Sequence, residues 1–294
     1  MSVHSFVGPA GSGKTTRLMD SLEARLRERP LIEGQRVLAV TRMHGARHRL
    51  DERLANGVAR GQCDCMTMDR LAWVLAMRWR SRLKELGGTP SSELDFDETC
   101  RSAALLLGDN AVSAWLARRY PIVIVDEFQD CRDGRLGIVR ALSASCELLL
   151  AADDFQDLTG EAGAPAVDWL KTTGNREELE HIHRTDEEQL LGAANALREG
   201  RKLSIGWSAG FSLVPAPNAN VAASFVARAI RWSAGASLVV LSPTGPARSK
   251  FVRDALERLA AKPFEDKRKK GEKPKTFGPY KCQFAGSWAH AFAA

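Results

Sequence analysis

The amino-acid sequence predicts an α/β fold built on a parallel, doubly wound sheet. Three observations support this prediction. Apolar runs of strand length alternate with segments of helical periodicity, which is the order of repeated βα units. The run Ile122–Val125 is continuously apolar, as expected of a strand that helices cover on both faces. The Gly-rich stretch Gly8–Thr15 stands between the first predicted strand and the first predicted helix.

Individual elements of the first part of the chain follow from this periodicity. The predicted strands are Val3–Val7, Arg36–Thr41, Ile122–Val125 and Leu148–Ala152. The helix after the Gly-rich stretch runs to about Arg29, and apolar residues lie on one of its faces at Leu18, Met19, Leu22 and Leu26. A basic helix that carries Leu50 and Leu54 follows the second strand.

The rest of the chain continues the α/β order after a helical interruption. Helices are predicted over Glu187–Glu199, from about Val221 to Ala234, and from a start near Pro246, with a strand at Ser237–Leu241. We therefore predict four regions: a first lobe of residues 1–66 and 120–178, a helical insertion at 67–119, a partial second lobe at 179–261, and a basic tail at 262–294. The tail is expected to be a solvated loop, and contact with nucleic acid is the alternative.

Composition indicates a globular protein. Of the 294 residues, 44% are hydrophobic and 27% are charged, and the net charge of +6 permits a polyanionic partner without requiring one. The cysteines lack the paired spacing of a zinc site and are expected to be reduced thiols, namely Cys63, Cys65, Cys100, Cys131, Cys146 and Cys282. No apolar run has membrane length and no signal pattern opens the chain, so we expect a cytoplasmic protein without membrane contact.

The Gly-rich stretch has the spacing of a phosphate-binding loop. Gly8–Thr15 is GPAGSGKT, which fits Gly, four residues, and then Gly-Lys-Ser/Thr. Glycines allow backbone N–H groups to turn towards phosphates, and the following helix adds the partial positive charge of its N-terminus. Lys14 would then contact the terminal phosphates of a nucleotide, and Thr15 would offer its hydroxyl to Mg²⁺.

Two adjacent acids follow the most apolar strand. A nucleotide on the phosphate loop brings Mg²⁺, which prefers oxygen ligands, so an acid at the end of a neighbouring parallel strand would complete the site. Asp126 is expected to be that metal ligand. Glu127 points differently as the strand ends and would polarise the water that attacks the γ-phosphate.

The segment VDEFQD, residues 125–130, resembles motif II of the UvrD/Rep branch of superfamily 1 DNA helicases. Further resemblances follow in the family's order. LAVT resembles motif Ia, TMDRLA the Thr-aromatic-His segment that contacts the DNA backbone, AADDFQD motif III, the stretch from Leu179 to Leu197 motif IV, and SLVVLSPT the first strand of the second motor lobe. Together these matches extend from about Phe6 to Leu259.

This resemblance implies a RecA-like P-loop NTPase and assigns roles residue by residue. Gln156 would sense the γ-phosphate and link it to DNA, and Arg184 would act as an arginine finger on the transition-state charge. Nucleotide contacts are assigned to Gly8, Pro9, Ala10, Gly11, Ser12, Gly13, Lys14, Thr15, Thr16 and His183, the last standing where the family has a stacking Tyr. DNA contacts are assigned to Thr41, Arg42 and Thr67.

The resemblance stops before the family's motifs V and VI, for which we find no match. Three explanations stay open: a gene fragment or premature stop, a degenerate member, or a subunit whose second motor lobe is completed by another protein. Since the two lobes must close around ATP, a partial second lobe is expected to couple poorly.

The function that the sequence favours is ATP hydrolysis stimulated by single-stranded DNA, with ATP and Mg²⁺ as cofactors, and 3′-to-5′ translocation or unwinding implied by the family. One alternative is a nucleotide-dependent regulatory or DNA-binding subunit of a repair or phage-defence complex that has no helicase action of its own. A small-molecule kinase is a third possibility, which DEFQD and the lack of a recognisable lid disfavour.

Overall fold

The structure is a computed structural model, and it describes residues 2–42, 44–57, 61–88, 95–155, 165–183, 185–203, 213, 215–232, 246–261, 263–266 and 275–277. The chain divides into two compact units, Met1–Glu187 and Glu188–Ala294. No helix in the described ranges is long and apolar enough to cross a membrane.

The first unit contains a six-stranded sheet in which every pairing is parallel. Its strands are β1 (Val3–Val7), β2 (Val37–Thr41), β3 (Cys63–Thr67), β4 (Ile122–Val125), β5 (Glu147–Ala152) and β6 (Asn175–Glu178). They lie side by side in the order β3-β2-β4-β5-β1-β6. The predicted α/β fold with a parallel sheet is confirmed, and the carboxyl ends of all six strands lie at one edge.

Helices surround this sheet. Within the described residues of the first unit they are α1 (Lys14–Glu28), α2 (His44–Asn56), α3 (Met68–Arg78), α4 (Arg80–Glu85), α5 (Phe96–Leu107), α6 (Asn110–Arg119), α7 (Asp133–Ser143) and α8 (Pro165–Thr172), with a 3₁₀ turn at Phe128–Asp130. The stretch predicted as a helical insertion therefore contains α3 to α6. Thr67, Asp95 and Asp109 cap α3, α5 and α6 through their side-chain oxygens.

The central strand β4 explains why the apolar run at Ile122–Val125 is unbroken. Ile122 and Ile124 belong to the core cluster that includes residues of α1 and α2, whereas Val123 and Val125 belong to the cluster on the opposite face, with residues of α3 and α5 to α8. All four side chains are buried. Because successive side chains of a strand point to opposite faces, only a strand covered twice needs an apolar residue at every position.

The sequence prediction missed β3 and β6, which are the two edge strands of the sheet. β6 has the sequence NREE and is exposed or half-buried throughout, and β3 has the sequence CDCMT with only Thr67 buried. An edge strand buries less surface and carries charged residues more readily than a central strand, so hydrophobic pattern alone does not reveal it.

The described part of the second unit consists mainly of helices. They are α9 (Glu188–Arg198), α10 (Ala219–Trp232) and α11 (Pro246–Ala261), and α10 packs on α11 through Ala223, Ala227, Ala255 and Leu259. Where the sequence analysis expected a loop or tail, β7 (Phe264–Asp266) and β8 (Lys275–Phe277) form an antiparallel pair. The predicted strand Ser237–Leu241 lies outside the described residues.

Candidate nucleotide-binding site

The loop between β1 and α1 has the geometry of an anion cradle. Gly11 and Gly13 have φ of 86° and 85°, the left-handed region that glycine adopts most easily. Helix α1 begins at Lys14, and Arg17 N–H donates to the Gly13 carbonyl over 2.9 Å. No side chain caps this helix start and no acidic residue lies in its first turn. Its N–H groups and dipole are therefore available to a bound phosphate.

Lys14 is the first residue of α1, and its ammonium contacts oxygen atoms of the loop. Nζ donates to the carbonyl oxygens of Gly8, at 2.8 Å, and Pro9, at 2.9 Å. It also lies 3.7 Å from Oδ2 of Asp153, which follows β5. Both side chains of this ion pair are largely buried. The Lys14 ammonium, which would bind a phosphate, is therefore positioned by two loop carbonyls and the Asp153 carboxylate.

Asp126 stands at the carboxyl end of β4. Its backbone N–H donates to the Val40 carbonyl over 3.1 Å, and its Oδ1 accepts the N–H of Glu127 over 3.1 Å. Burial, and then the neighbouring charge of Glu127, raise the pKa of Asp126 to about 6, while Lys14 and Arg53 act in the opposite direction. A cation at this carboxylate would favour its ionised form.

The donor set fits Mg²⁺ bound together with a nucleotide. The described residues contain no group of three or more His, Cys, Asp or Glu side chains suited to hold a metal ion alone. Mg²⁺ is usually held by one or two carboxylates, phosphate oxygens and waters, which the Asp126 carboxylate and the Thr15 hydroxyl would supplement. In the same loop Ser12 Oγ is buried without a hydrogen-bond partner among the described residues, as expected of a loop shaped for a ligand.

Glu127 has a strained backbone and a positioned side chain. Its φ of 56° and ψ of 45° lie in the left-handed region, which is unfavourable for a residue other than glycine. Its Oε2 accepts a hydrogen bond of 2.7 Å from Nε2 of Gln129. Gln129 is only 2% exposed, and its Oε1 accepts the backbone N–H of Asp153 over 2.9 Å. Gln129 therefore ties the end of β4 to the end of β5.

Asp153 and Gln129 are the two residues of this site to which sequence reasoning gave no role. Contacts run from Lys14 to Asp153, from Asp153 to Gln129, and from Gln129 to Glu127. A signal for Asp153 was present, because an acid that follows a buried strand had already identified Asp126. Gln129 had no such signal, since only the pairing of β4 with β5 brings the two strand ends together.

The residues after β6 lie against the phosphate loop. Leu179 N–H donates to the Val7 carbonyl over 2.8 Å, and His183 N–H donates to the Gly11 carbonyl over 2.8 Å. A Cβ on Gly8 would lie 2.2 Å from the Leu179 carbonyl oxygen, so glycine is required there. The rings of His181 and His183 pack edge to face, with centroids 4.6 Å apart. The structure thus places the backbone of His183 beside this loop, and the nucleotide contact that the resemblance assigns to His183 stays a prediction.

Thr41, Arg42 and Thr67 lie at the same sheet edge. Thr41 and Thr67 are register partners on β2 and β3, and both are buried. Thr67 Oγ1 accepts the backbone N–H of Arg70 over 3.2 Å and so caps α3. The Arg42 side chain is half exposed, and its Nη1 lies 3.6 Å from Oδ2 of Asp130. Of the three side chains, that of Arg42 is the most exposed, and the DNA contacts assigned to these residues remain predictions.

Two assigned catalytic residues, Gln156 and Arg184, lie outside the described residues. The roles assigned to Lys14, Thr15, Asp126, Glu127 and His183 remain predictions, although the structure brings Lys14 and the ends of β4 and β5 to one place.

Comparison with known proteins gives one family and several solved structures. A family model described as an AAA domain matches residues 1–214. A helicase, arterivirus nonstructural protein 10, is 14% identical with a TM-score of 0.38, over 74% of this chain and 42% of that chain. The Pif1 helicase from Candida albicans is 15% identical with a TM-score of 0.42, over 88% of this chain and 51% of that chain. This chain thus spans about half the length of these structures. No curated protein matches the sequence.

Proposed function

This chain belongs to the AAA domain family, and on that premise we propose that it is an ATPase of the UvrD/Rep helicase type whose turnover is stimulated by single-stranded DNA. The observation that carries the proposal is the linked set formed by Lys14, Asp153, Gln129 and Glu127. These residues contact one another in that order, at the place where the ends of the neighbouring strands β4 and β5 face the phosphate loop.

Lys14 would exchange its present partners for a nucleotide. Its Nζ donates to two loop carbonyls and lies near Asp153, all of which a phosphate oxygen can replace. The uncapped start of α1 would add N–H donors to the same phosphates. The loop therefore supports binding of a nucleoside triphosphate with its phosphates over α1.

Thr15 and Asp126 would hold Mg²⁺ with the nucleotide. Bound Mg²⁺ would neutralise charge that develops on the phosphate oxygens. The raised pKa of Asp126 supports this role, because a buried carboxylate without a cation is unfavourable. Ionising Asp126 and binding the metal are thus expected to be coupled.

Glu127 would orient the attacking water. Its carboxylate is already held by Gln129, so its orientation need not be established anew in each turnover. Backbone strain at Glu127 is consistent with a functional position, since strain persists where the surroundings enforce it.

The finer assignments complete the proposal. Gln156 would sense the γ-phosphate, Arg184 would act as an arginine finger, and Thr41, Arg42 and Thr67 would contact DNA. Translocation in the 3′-to-5′ direction, a role in DNA repair and a cytoplasmic location belong to the same proposal, as does a partner protein that completes the second lobe.

A steady-state ATPase assay on the purified chain tests this function. We expect Mg²⁺-dependent hydrolysis that single-stranded DNA accelerates, with an acceleration that fades as salt rises. Lys14→Ala should abolish turnover, and Arg27→Ala, on the exposed face of α1, should not change it. Hydrolysis that is indifferent to DNA would favour the regulatory subunit, and absence of nucleotide binding in calorimetry would overturn the proposal.

A further inference from the structure

Helix α3 carries two large apolar side chains, Trp73 and Met77, that are partly exposed to solvent. Its buried face consists of Met68, Leu71, Ala72, Leu75 and Ala76. On the opposite face, Trp73 is 45% exposed and Met77 is 40% exposed, and Arg70 is exposed one turn before Trp73. We call Arg70, Trp73 and Met77 the α3 stripe, because their spacing places them on one side of the helix.

Trp73 carries a cation on its ring. The Arg70 guanidinium carbon lies 4.5 Å from the ring centroid, a cation–π distance. An exposed Trp next to an Arg is typical of residues that bind a partner strongly, and it departs from the polar pattern of a solvent-facing helix. The α3 stripe is therefore better explained by a ligand than by the stability of α3.

Charge around the stripe favours an anionic ligand. No carboxylate in the described part of the chain lies within ion-pair distance of Arg70, Arg78 or Arg80. The acidic residues of α3 and α4 form ion pairs with other arginines. Asp69 of α3 lies 2.8 Å from Arg135 Nη2, and Glu85 of α4 lies 2.7 Å from Arg82 Nη1. Arg70 thus presents positive charge beside the exposed indole of Trp73, whereas the Arg78 guanidinium lies over the Trp115 ring.

The α3 stripe also begins at the edge of the sheet where the strands have their carboxyl ends. Helix α3 starts directly after β3, whose last residue Thr67 is the register partner of Thr41. Arg70 lies in the first turn of α3, at the edge where the phosphate loop and Asp126 also lie. Nucleic acid bound along this edge could therefore contact the α3 stripe and the proposed DNA-binding residues Thr41, Arg42 and Thr67 at the same time.

We propose that the α3 stripe binds single-stranded nucleic acid: an unpaired base replaces the Arg70 guanidinium on the Trp73 ring, and the displaced guanidinium pairs with the adjacent phosphate. An indole accepts any base on its face, and a guanidinium beside it binds phosphate, so the contact is independent of sequence. This inference rests on the proposed function, because it names the surface through which nucleic acid would stimulate the ATPase. Arg70 lies within the TMDRLA segment, whereas Trp73 and Met77 lie beyond the motifs assigned from the sequence.

Fluorescence anisotropy with a labelled oligodeoxythymidylate of about 20 nucleotides tests the stripe, using the full chain at several salt concentrations. Trp73→Ala should raise Kd about 5- to 100-fold and leave the slope of log K against log salt unchanged, because stacking releases no counterion. Arg70→Ala should reduce that slope by about 0.7, because one phosphate contact is lost. Trp73→Phe should retain most of the affinity.

Matched controls come from α5, in the same helical region. Leu105→Ala removes another exposed apolar side chain, and Arg101→Ala removes another exposed arginine, which is paired with Glu98. Neither should change Kd more than about twofold. Because Trp73 and Arg70 are exposed, circular dichroism and thermal melting should match wild type, and Arg70→Glu provides a second test of charge at the same position.

The outcomes separate the two proposals. If wild type binds the oligonucleotide and the DNA accelerates its ATPase, but Trp73→Ala and Arg70→Ala bind as tightly as wild type, the stripe is wrong and the proposed function stands. That result would point to a protein partner on this face. If wild type neither binds the oligonucleotide nor responds to it, both proposals fall.

Discussion

The side-chain amide of Gln129 donates a hydrogen bond of 2.7 Å to Oε2 of Glu127. Through its Oε1 the same amide accepts the backbone N–H of Asp153, which follows the adjacent strand. One buried residue thus connects the carboxylate of the proposed water-orienting acid to the backbone of Asp153, whose side chain faces Lys14.

Replacing Gln129 is therefore expected to impair catalysis more than binding. Gln129→Leu keeps the volume but removes both hydrogen bonds, so kcat should fall by roughly tenfold or more because Glu127 loses its fixed orientation. The Kd for nucleotide, measured with a fluorescent analogue, should change little. The free energy of unfolding should also fall by about 1–3 kcal/mol, since the Asp153 N–H loses its partner. A kcat within twofold of wild type would show that this contact is only structural.

Glu127→Gln tests the water-orienting role. The amide can still accept from Gln129, but it cannot take a proton, so turnover should fall about 10²- to 10⁴-fold while nucleotide binding persists. Single-turnover hydrolysis with radiolabelled ATP is the measurement. The control is Asp154→Asn, an exposed acid after β5, which should retain activity. Unchanged turnover in Glu127→Gln would remove this residue from the mechanism.

Backbone strain at Glu127 can be measured separately from its chemistry. Glu127→Gly and Glu127→Ala both remove the carboxylate, but only glycine adopts a φ of 56° without strain. The Gly variant should therefore be more stable than the Ala variant by about 1 kcal/mol in urea unfolding, although glycine normally destabilises. The reverse order would mean that the backbone at this position is not strained.

The raised pKa of Asp126 predicts a pH-dependent stability. Because the pKa rises from 3.8 to about 6, the folded protein holds this proton more tightly than the unfolded chain, and stability falls as pH rises from about 4 to 6. Asp126→Asn should therefore be more stable than wild type at pH 8, by roughly 1–3 kcal/mol, and similar to it near pH 4. Urea unfolding at both pH values checks this, and an equal difference at both would contradict it.

The same titration should affect ligand binding. Mg²⁺ needs the ionised carboxylate, so the affinity for Mg²⁺-nucleotide should weaken as pH falls below about 6 in wild type. In Asp126→Asn this pH dependence should be smaller. Calorimetric titration across this pH range provides the comparison.

Asp153 is expected to compete with phosphate for Lys14. Its Oδ2 lies 3.7 Å from Nζ, so Asp153→Asn removes a negative charge that a triphosphate must approach. Binding of ATP without Mg²⁺ should strengthen about 3- to 10-fold, on the order expected for a partly screened charge at this distance. Asp154→Asn is the matched control. Weaker binding in Asp153→Asn would instead give Asp153 a direct role with the nucleotide.

The contrast between β4 and β6 shows how far sequence pattern reaches. β4 is apolar at every position because helices cover both faces of the sheet there. A continuous apolar run of this kind can be recognised directly in the sequence. The segment NREE forms strand β6 only because its backbone pairs with β1. Backbone hydrogen bonds to a neighbour, rather than side-chain burial, determine such a strand.

Sequence by itself determined the parallel α/β fold, the Gly-rich loop after the first strand and the place of Asp126 directly after β4, because glycine spacing and apolar runs are local properties of the chain. Only the tertiary structure decided that Asp153 faces Lys14 and that Gln129 holds Glu127. The physical reason is that these contacts join the ends of different strands, and the order β4-β5-β1 brings those ends together. No spacing along the chain encodes that order.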